Sequence, residues 1–398
     1  MPRLSRFSSA RRNRTPRITA DFDGGAIEIV SADDWERIEL ALRADTRADE
    51  FKQWFSFCAE GDAGAPRRFE IVNAGEATYP DAFEGYSACA SYDGRYWFRL
   101  PTSFDGDVLA FDHTPRFRRV YYAYFAPYSL DRHHELLSLA HETSGMRVET
   151  IGETVEGRDL DVVIIGDEDD SKRKIWVIAR QHPGETMAEW FAEGMLTRLT
   201  RLSDGDEDET VRALLERATI YLVPSMNPDG GVLGNLRTNA AGMNLNRAWQ
   251  DPSDDESPEV LAVREAMRST GVDLFLDVHG DERNPYCFLA GCEGNPSYSE
   301  RIRELEISFE TSLIERHTGF QDEYGYDRDE PGGGDLRTAG NWVGEEFDCL
   351  SFTVEMPFKD NANAPDEEVG WSPDRAIALG EDTLDSVLDV VDDLREEE

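Results

Sequence analysis

The chain has 398 residues and a formal net charge of −41, with 82 Asp and Glu against 41 Lys and Arg. This length allows two domains with substantial cores, and the 39% hydrophobic and 10% aromatic residues argue against a disordered chain. The charge excludes a nucleic-acid binder, because no basic stripe follows the N-terminal tail. We interpret the acid-rich, lysine-poor composition as that of a cytosolic protein from a salt-accumulating halophile, the alternative being an acidic protein with basic partners.

The five cysteines lack paired spacing, which indicates a reducing compartment rather than a disulfide framework. No run approaches the ~18 apolar residues of a membrane helix, so we expect a cytoplasmic protein without a membrane partner. Six arginines precede Ile18 without a following apolar segment, which predicts a basic disordered tail over residues 1–17 rather than a signal peptide. The composition leaves the oligomeric state open.

Residues 18–125 are predicted to form a β-sandwich accessory domain. Short apolar or alternating stretches are separated by turns containing Gly, Asp and Pro at the interval typical of that fold. No catalytic constellation appears there, and His113 is interpreted as structural. The domain could select substrates or support the rest of the chain. The predicted strands cover residues 26–30, 37–42, 54–57, 68–72 and 96–100.

Residues 126–398 are predicted to form the second domain, beginning with a helix after Ser129. His134 and His141 share one face of that helix, and we interpret them as surface residues because no third metal ligand is in view. From about Val148 strands and helices alternate, which predicts an α/β fold with a mixed, mostly parallel sheet flanked by helices. Ser257 and Ser372 each precede proline and are expected to cap helices. The acidic run 203–209 is interpreted as a solvated loop.

A histidine and a glutamate follow one strand of this second domain. Residues 174–180 form an apolar run, and helical periodicity begins at Met187, so His182 and Glu185 lie between strand and helix. Ligands bind at this position in open α/β sheets. An imidazole and a carboxylate three residues apart can hold zinc, but a catalytic zinc needs a third ligand and an open position. The candidate is His279, which closes the apolar run 273–280.

Further charged residues are predicted at the same edge of the sheet. Glu355 ends the apolar run 350–355, whereas Arg237 and Arg247 lie on connecting loops. An ionised group at a buried strand end costs free energy unless it is paired or bound to a metal. Singly, each has a structural explanation, since Glu355 could pair with an arginine and Arg237 could cap a turn. Together they predict a shared polar cleft.

These residues belong to ordered motifs that resemble the zinc metallocarboxypeptidase family. The N-terminal β-rich region, which ends in Tyr124-Phe125-Ala126-Pro127-Tyr128, resembles its cytosolic carboxypeptidase branch. The motifs run in order from residue 182 to residue 355: His182-Pro183-Gly184-Glu185, Asn227-Pro228-Asp229-Gly230 (which on its own signals a turn), Gly234-Asn235-Leu236-Arg237, Asn244-Leu245-Asn246-Arg247, Asp277-Val278-His279-Gly280 and Phe352-Thr353-Val354-Glu355.

The resemblance implies one Zn²⁺ per chain, held by His182, Glu185 and His279. Glu355 would be the general base that takes a proton from zinc-activated water and gives it to the leaving amine. Arg237 would polarise the scissile carbonyl and stabilise the oxyanion. The substrate's terminal carboxylate would be bound by Asn246 and Arg247, so the expected substrates are the C-termini of peptides or proteins.

Two departures and several alternatives accompany this interpretation. Asn244 stands where the family commonly has an acid, and the family's mobile tyrosine is not placed, with Tyr324 and Tyr326 as nearby candidates.

Removal of C-terminal glutamate is a further hypothesis, for which Lys359 or Arg337 could supply a basic pocket. The alternatives are a zinc amidohydrolase that deacylates small N-acyl amino acids and a catalytically inactive peptide-binding module.

Overall fold

A computed structural model describes residues 16–201 and 208–395. The predicted basic tail therefore lies outside the described residues except at its end, where Arg17 already belongs to the first strand. The acidic run 203–209 is also outside except for its last two residues, of which Asp208 accepts a hydrogen bond from the Val211 amide at a helix N-terminus. None of the helices in the described ranges is both long and apolar enough to span a bilayer.

The N-terminal region contains two five-stranded sheets, in the orders β1-β4-β10-β6-β7 and β2-β3-β5-β9-β8. Each strand predicted from the sequence overlaps an observed one. Pairing is antiparallel except between β3 and β5. The strands are β1 (Arg17–Thr19), β2 (Glu28–Ser31), β3 (Ile38–Ala41), β4 (Ser56–Glu60), β5 (Arg67–Ile71), β6 (Ala88–Ser91), β7 (Trp97–Leu100), β8 (Thr102–Phe104), β9 (Leu109–His113) and β10 (Arg119–Ala123).

Aromatic side chains fill the space between these two sheets. Phe57 of β4 and Phe69 of β5 belong to different sheets, and their ring centroids are 5.6 Å apart. Tyr122 of β10 lies 4.7 Å from Phe69, which in turn stacks on Phe111 at 5.1 Å. Since facing sheets bury their inward side chains against each other, the region is a β-sandwich as predicted.

A seven-stranded mixed sheet dominates the rest of the chain, in the order β11-β12-β14-β13-β15-β17-β16. The four neighbouring strands β14, β13, β15 and β17 are parallel, and the three outer pairings are antiparallel. The predicted mixed sheet is confirmed, with parallel pairing confined to its centre. The strands are β11 (Met146–Glu153), β12 (Asp159–Ile165), β13 (Arg173–Ala179), β14 (Ala218–Val223), β15 (Leu274–Val278), β16 (Phe288–Ala290) and β17 (Leu350–Glu355).

Helices cover both faces of this sheet. Alternate residues of its strands point to opposite faces and belong to two separate apolar clusters. Val177 and Leu276 belong to one cluster, whereas Trp176 and Phe275 belong to the other. The first cluster also contains residues of the sandwich. The helices are α1 (Leu130–Glu142), α2 (Met187–Thr200), α3 (Glu209–Arg217), α4 (Pro228–Leu233), α5 (Pro258–Thr270), α6 (Glu300–Arg316), α7 (Ala339–Phe347) and α8 (Pro373–Val390).

Two helices of this region, α2 and α8, approach with their backbones in contact. A Cβ atom on Gly194 would lie 2.1 Å from the carbonyl oxygen of Ile377, and one on Gly380 would lie 2.1 Å from that of Phe191. Any side chain at these glycines would therefore force the helices apart.

Helix starts differ from expectation in three places. Ser257 and Ser372 occupy the cap positions before Pro258 and Pro373, but neither side chain makes the capping hydrogen bond. The hydroxyl of Ser257 instead accepts from the Ser253 amide. The expected turn at Asn227 is the start of α4, where the asparagine side chain accepts from the Gly230 amide. All three helices have proline at the first position, so proline does not account for the missing serine hydrogen bonds.

The histidines outside the predicted metal site are structural or exposed. His113 lies between the hydroxyls of Tyr122 and Tyr92, at 2.9 and 3.2 Å, and burial lowers its pKa to about 4. His134 and His141 are exposed on α1, as expected. Among the described residues, the one group with the spacing of a metal site is His182, Glu185 and His279.

Candidate metal centre and catalytic cleft

The three predicted metal ligands converge because two neighbouring parallel strands end side by side. Ala179, the last residue of β13, pairs with Val278, the last of β15. His182 and Glu185 follow the first strand, and His279 follows the second. The Nδ1 atoms of His182 and His279 each lie 2.8 Å from an oxygen of Glu185, and 3.1 Å from each other. All three side chains are buried.

The outer ring nitrogens of both histidines face hydrogen-bond acceptors. The Nε2 atom of His182 lies 3.0 Å from the amide oxygen of Asn244, and that of His279 lies 2.8 Å from a carboxylate oxygen of Asp277. These partners assign the proton to Nε2 in each ring, which leaves the Nδ1 lone pairs pointing inward. Asn244 thus offers the acceptor that an acid would offer at this position.

The inward-facing atoms of the centre are therefore all acceptors: two imidazole nitrogens and two carboxylate oxygens. Four acceptors at these distances require a cation between them, and a set of two histidines and one glutamate is a usual donor set of catalytic zinc. Burial lowers the pKa of His182 to about 4, so this ring is neutral, as a metal ligand must be. The residues fit Zn²⁺.

Glu355 ends β17, the strand beside β15, and its carboxylate lies near the metal centre. Its Oε1 accepts a hydrogen bond from the hydroxyl of Tyr326 at 2.9 Å. Its Oε2 is buried and has no hydrogen-bond partner among the described residues. Burial raises the pKa of Glu355 well above the usual range, and the charges of Glu185 and Asp281 act in the same direction. A carboxylate with a raised pKa is suited to accept a proton near neutral pH.

The Tyr326 hydroxyl also lies 2.8 Å from Oδ2 of Asp281, so it is held between two carboxylates. Its ring packs edge-on against Phe288 at 5.0 Å. The other candidate, Tyr324, stacks instead on Tyr286 at 4.6 Å. Tyr326 belongs to the irregular segment between α6 and α7, where neither periodicity nor a motif fixes the position of a side chain.

The predicted arginines and asparagine line the same cleft. A guanidinium nitrogen of Arg237 lies 3.8 Å from Oε1 of Glu185. Asn246 accepts from the Ala339 amide at 2.8 Å, and its own amide nitrogen lies 3.4 Å from Nε2 of His279. Arg247 is exposed, with Nη1 donating to the Asn246 carbonyl at 2.6 Å. A cleft of about 690 Å³ is lined by every predicted site residue, namely His182, Glu185, Arg237, Asn246, Arg247, His279 and Glu355.

The two cations suggested for a glutamate pocket lie elsewhere. Lys359 donates to the Glu84 carbonyl at 2.8 Å, and Arg337 pairs with Asp335 at 2.8 Å; neither lines the cleft. The far part of the cleft has another set of charges, with arginines and carboxylates interspersed. They are Glu293, Arg303, Glu306, Glu310, Asp322 and Arg328.

Several residues at the site were not predicted from the sequence. Asp277 could have been found, because residues two apart on a strand point to the same face and it precedes His279 by two. Tyr79 and Glu282 also line the cleft, and no motif marks them. Tyr79 comes from the sandwich, where its ring centroid lies 5.9 Å from the Arg237 guanidinium and 4.7 Å from that of Arg283. The sandwich therefore contributes to the cleft wall.

Comparison with protein families divides the chain into two matched regions. Residues 18–125 match the cytosolic carboxypeptidase N-terminal domain, and residues 134–374 match zinc carboxypeptidase. An uncharacterized protein from Zymomonas mobilis is 42% identical over 96% of this chain and 98% of its own length. Cytosolic carboxypeptidase 6 of Caenorhabditis elegans is 24% identical, with 85% of this chain and 78% of the relative covered.

Solved structures resemble the chain over nearly its whole length. A metallo-carboxypeptidase from Pseudomonas aeruginosa, in complex with (2-guanidinoethylmercapto)succinic acid, has a TM-score of 0.92 at 48% identity, covering 95% of this chain and 100% of that one. A metallo-carboxypeptidase from Burkholderia cenocepacia has a TM-score of 0.92 at 47% identity, covering 95% and 99%. This coverage includes both the sandwich and the mixed sheet.

Proposed function

This chain belongs to the zinc carboxypeptidase family and is a peptidase, and from that premise we propose that it removes residues one at a time from the C-termini of peptides or proteins. The observation that carries this proposal is the shared cleft, in which the buried set His182, Glu185 and His279 lies with Glu355 and the exposed Arg247. A metal centre, a proton acceptor and a carboxylate-binding cation are the parts that such a reaction needs.

His182, Glu185 and His279 would hold one Zn²⁺ per chain. When bound, the ion supplies a Lewis acid that polarises the scissile carbonyl and lowers the pKa of water. Asp277 and Asn244 orient the two histidines through their outer nitrogens.

Glu355 is proposed as the general base. Its unpartnered Oε2 accepts the proton of the attacking water and then delivers it to the nitrogen of the leaving amino acid. Tyr326 holds the other oxygen, so the carboxylate keeps one orientation through both proton transfers.

Arg237 and Arg247 are proposed to contact different groups of the substrate. Arg237, close to Glu185, stabilises the negative charge that develops on the carbonyl oxygen. Arg247, with its guanidinium exposed to the cleft, binds the terminal carboxylate, and the amide of Asn246 assists it. An internal peptide bond offers no such carboxylate, which restricts the reaction to chain ends.

The finer proposal is removal of C-terminal glutamate, which the cytosolic branch implies. A glutamate side chain needs a cation, and Arg303 and Arg328 are the arginines in the far part of the cleft. Each is already engaged by a carboxylate, Arg303 by Glu300 at 2.6 Å and Arg328 by Glu293 at 3.9 Å. An incoming glutamate therefore competes with Glu300 and Glu293 for these partners.

The test is mass spectrometry of peptide sets in molar KCl, with free and amidated C-termini ending in Glu, Leu or Lys, with and without a zinc chelator. We expect single-residue losses from free ends only, abolished by chelation. Cleavage of N-acyl amino acids without cleavage of any peptide would support an amidohydrolase instead. Binding of zinc and peptide without turnover would indicate an inactive binding module. A preference for Leu or Lys ends over Glu would overturn only the glutamate proposal.

A further inference from the structure

A carboxylate of the β-sandwich holds the loop that carries Arg237. Asp45 lies between β3 and β4, and its side chain is 5% exposed. One oxygen accepts from the Leu236 amide at 2.6 Å, and the other accepts from the Arg237 and Thr238 amides at 2.8 and 3.0 Å. The Thr238 hydroxyl adds a fourth contact at 3.1 Å. Three consecutive backbone N–H groups thus point at one carboxylate, an arrangement that favours a bound anion.

Neighbouring residues hold the same loop from the same side. The Thr46 amide donates to the side-chain oxygen of Asn235 at 3.0 Å, and the Asn235 side chain donates to the Thr238 carbonyl at 3.0 Å. The guanidinium of Arg43 contacts the Leu233 carbonyl. Gly234, at φ +67°, lies against the carbonyl oxygens of residues 24 and 25, where a Cβ would come within 3.0 Å. The loop is therefore seated on the sandwich along its length.

Backbone donors are the main compensation for the buried charge of Asp45. No cation forms an ion pair with it in the described part of the chain, and burial raises its pKa against the opposing effect of the three amides. Burying a carboxylate costs free energy unless its hydrogen bonds are satisfied, and charge-assisted bonds are among the stronger ones. Such an arrangement fixes the backbone position of residues 236–238 firmly.

We infer that Asp45 is a positioning residue for catalysis, and that the β-sandwich acts through it to hold the Arg237 guanidinium at the metal centre. The inference rests on the role proposed above for Arg237. Its physical basis is that a backbone shift of about 1 Å at a catalytic group can cost about 100-fold in rate. Tyr79, the sandwich residue whose ring faces the Arg237 guanidinium, limits its movement from another direction.

A double-mutant cycle tests this inference in the full-length, zinc-loaded enzyme. We expect Asp45→Asn to lower kcat about tenfold, with a smaller change in KM. In the Arg237→Ala background the same substitution should change kcat less than twofold, because the guanidinium that Asp45 positions is already gone. The control is Asp23→Asn, since Asp23 also accepts a backbone amide, that of Leu130 at 2.6 Å, but outside the cleft. This control should leave kcat unchanged.

Three outcomes separate the inference from the proposed function. An equal loss from Asp45→Asn in both backgrounds would overturn the inference and leave a general structural role. No loss from Asp45→Asn in the wild-type background would overturn it as well. Full activity of Arg237→Ala would instead overturn the proposed role of Arg237 and remove the premise on which the inference depends.

A milder pair of variants decides the question if Asp45→Asn does not fold. Thr238→Val removes only the hydroxyl contact with Asp45, whereas Thr238→Ser keeps it. We expect kcat to fall about threefold in Thr238→Val and to be restored in Thr238→Ser, with no difference between the two in the Arg237→Ala background. Equal kcat for both serine and valine variants in the wild-type background would overturn the inference.

Discussion

The hydroxyl of Tyr326 lies 2.9 Å from one oxygen of Glu355, while the other oxygen of that carboxylate has no partner among the described residues. A hydrogen bond to the ionised form lowers the pKa of a carboxyl group, so its removal raises the pKa of Glu355. We expect Tyr326→Phe to move the acidic limb of the kcat/KM profile to higher pH, by roughly 0.5 to 1 pH unit.

The pH–rate profile of Tyr326→Phe is to be measured beside that of Tyr324→Phe. Tyr324 stacks on Tyr286 and has no hydrogen bond to Glu355, so its profile should match the wild type. Movement of the limb to lower pH in Tyr326→Phe would contradict the prediction.

Glu355→Gln keeps the shape of the side chain and removes its ability to accept a proton as a carboxylate. We expect kcat to fall by a factor on the order of 10³, the range for loss of a general base. Zinc content by elemental analysis and peptide Kd by calorimetry should stay near wild-type values, because Glu355 is not one of the three proposed ligands. Turnover at the wild-type rate would remove Glu355 from the mechanism.

Arg247→Ala removes the proposed partner of the terminal carboxylate. A hydrogen bond to a charged group contributes about 1.5–3 kcal/mol, so KM should rise roughly 10- to 100-fold for free C-termini. The ratio of cleavage between free and amidated peptides should fall toward one. Arg337→Ala is the matched control, because Arg337 is an exposed arginine paired with Asp335 and lies outside the cleft. An unchanged KM in Arg247→Ala would assign carboxylate binding to another residue.

Asp277→Asn tests the orientation of His279 without touching a ligand atom. Loss of the carboxylate at Nε2 should weaken zinc binding about 10- to 100-fold, as measured by competition with a chromogenic chelator. Asn244→Asp makes the opposite change at Nε2 of His182 and should bind zinc more tightly. Equal affinities in both variants and the wild type would show that these outer contacts do not affect the metal.

The buried carboxyl group of Glu259 should make the free energy of unfolding depend on pH. It is fully buried on α5, its carboxylate contacts the Asn239 amide nitrogen at 3.1 Å, and burial raises its pKa to about 7. Because the folded-state pKa exceeds the unfolded value, the stabilisation is complete below about pH 4.5 and is lost as the pH rises through 7. Glu259→Gln lacks this loss, so its free energy of unfolding relative to wild type should increase by up to about 3 kcal/mol between pH 5 and pH 8.

Urea unfolding at both pH values measures this difference. Glu265→Gln, an exposed position on the same helix, should show the same offset from wild type at pH 5 and pH 8. A constant offset for Glu259→Gln would show that Glu259 ionises at its ordinary pKa in the folded protein.

Local patterns account for what the sequence predicted well. The apolar run before His182 could only be a buried strand or helix segment, and its short length together with the helical periodicity from Met187 distinguished the two. Parallel strands that end at one edge then bring His182, Glu185, His279 and Glu355 together, as the structure shows. The roles of these residues, and the division of the chain at residues 125 and 126, stay predictions.

Contacts between distant segments account for what the sequence did not predict. Asp45 and Arg237 are 192 residues apart, and neither periodicity nor spacing relates them. Tyr326 lies in an irregular segment, where position depends on packing against Phe288 rather than on local propensity. The serine caps are a separate case, because the sequence predicted the cap positions but not the partners of the hydroxyls, and the Ser257 hydroxyl accepts from the Ser253 amide instead.

The backbone contact between α2 and α8 has a consequence for the order of events during synthesis. Gly194 meets Ile377 and Gly380 meets Phe191, so α2 packs fully only against residues near the C-terminal end of the described chain. Glu185 directly precedes α2. Since chains emerge from the ribosome in order and contacts at long sequence separation form late, we expect α2 to reach its final position only after α8 has been translated. We therefore expect the three proposed zinc ligands to reach their final arrangement only after α8 has folded against α2.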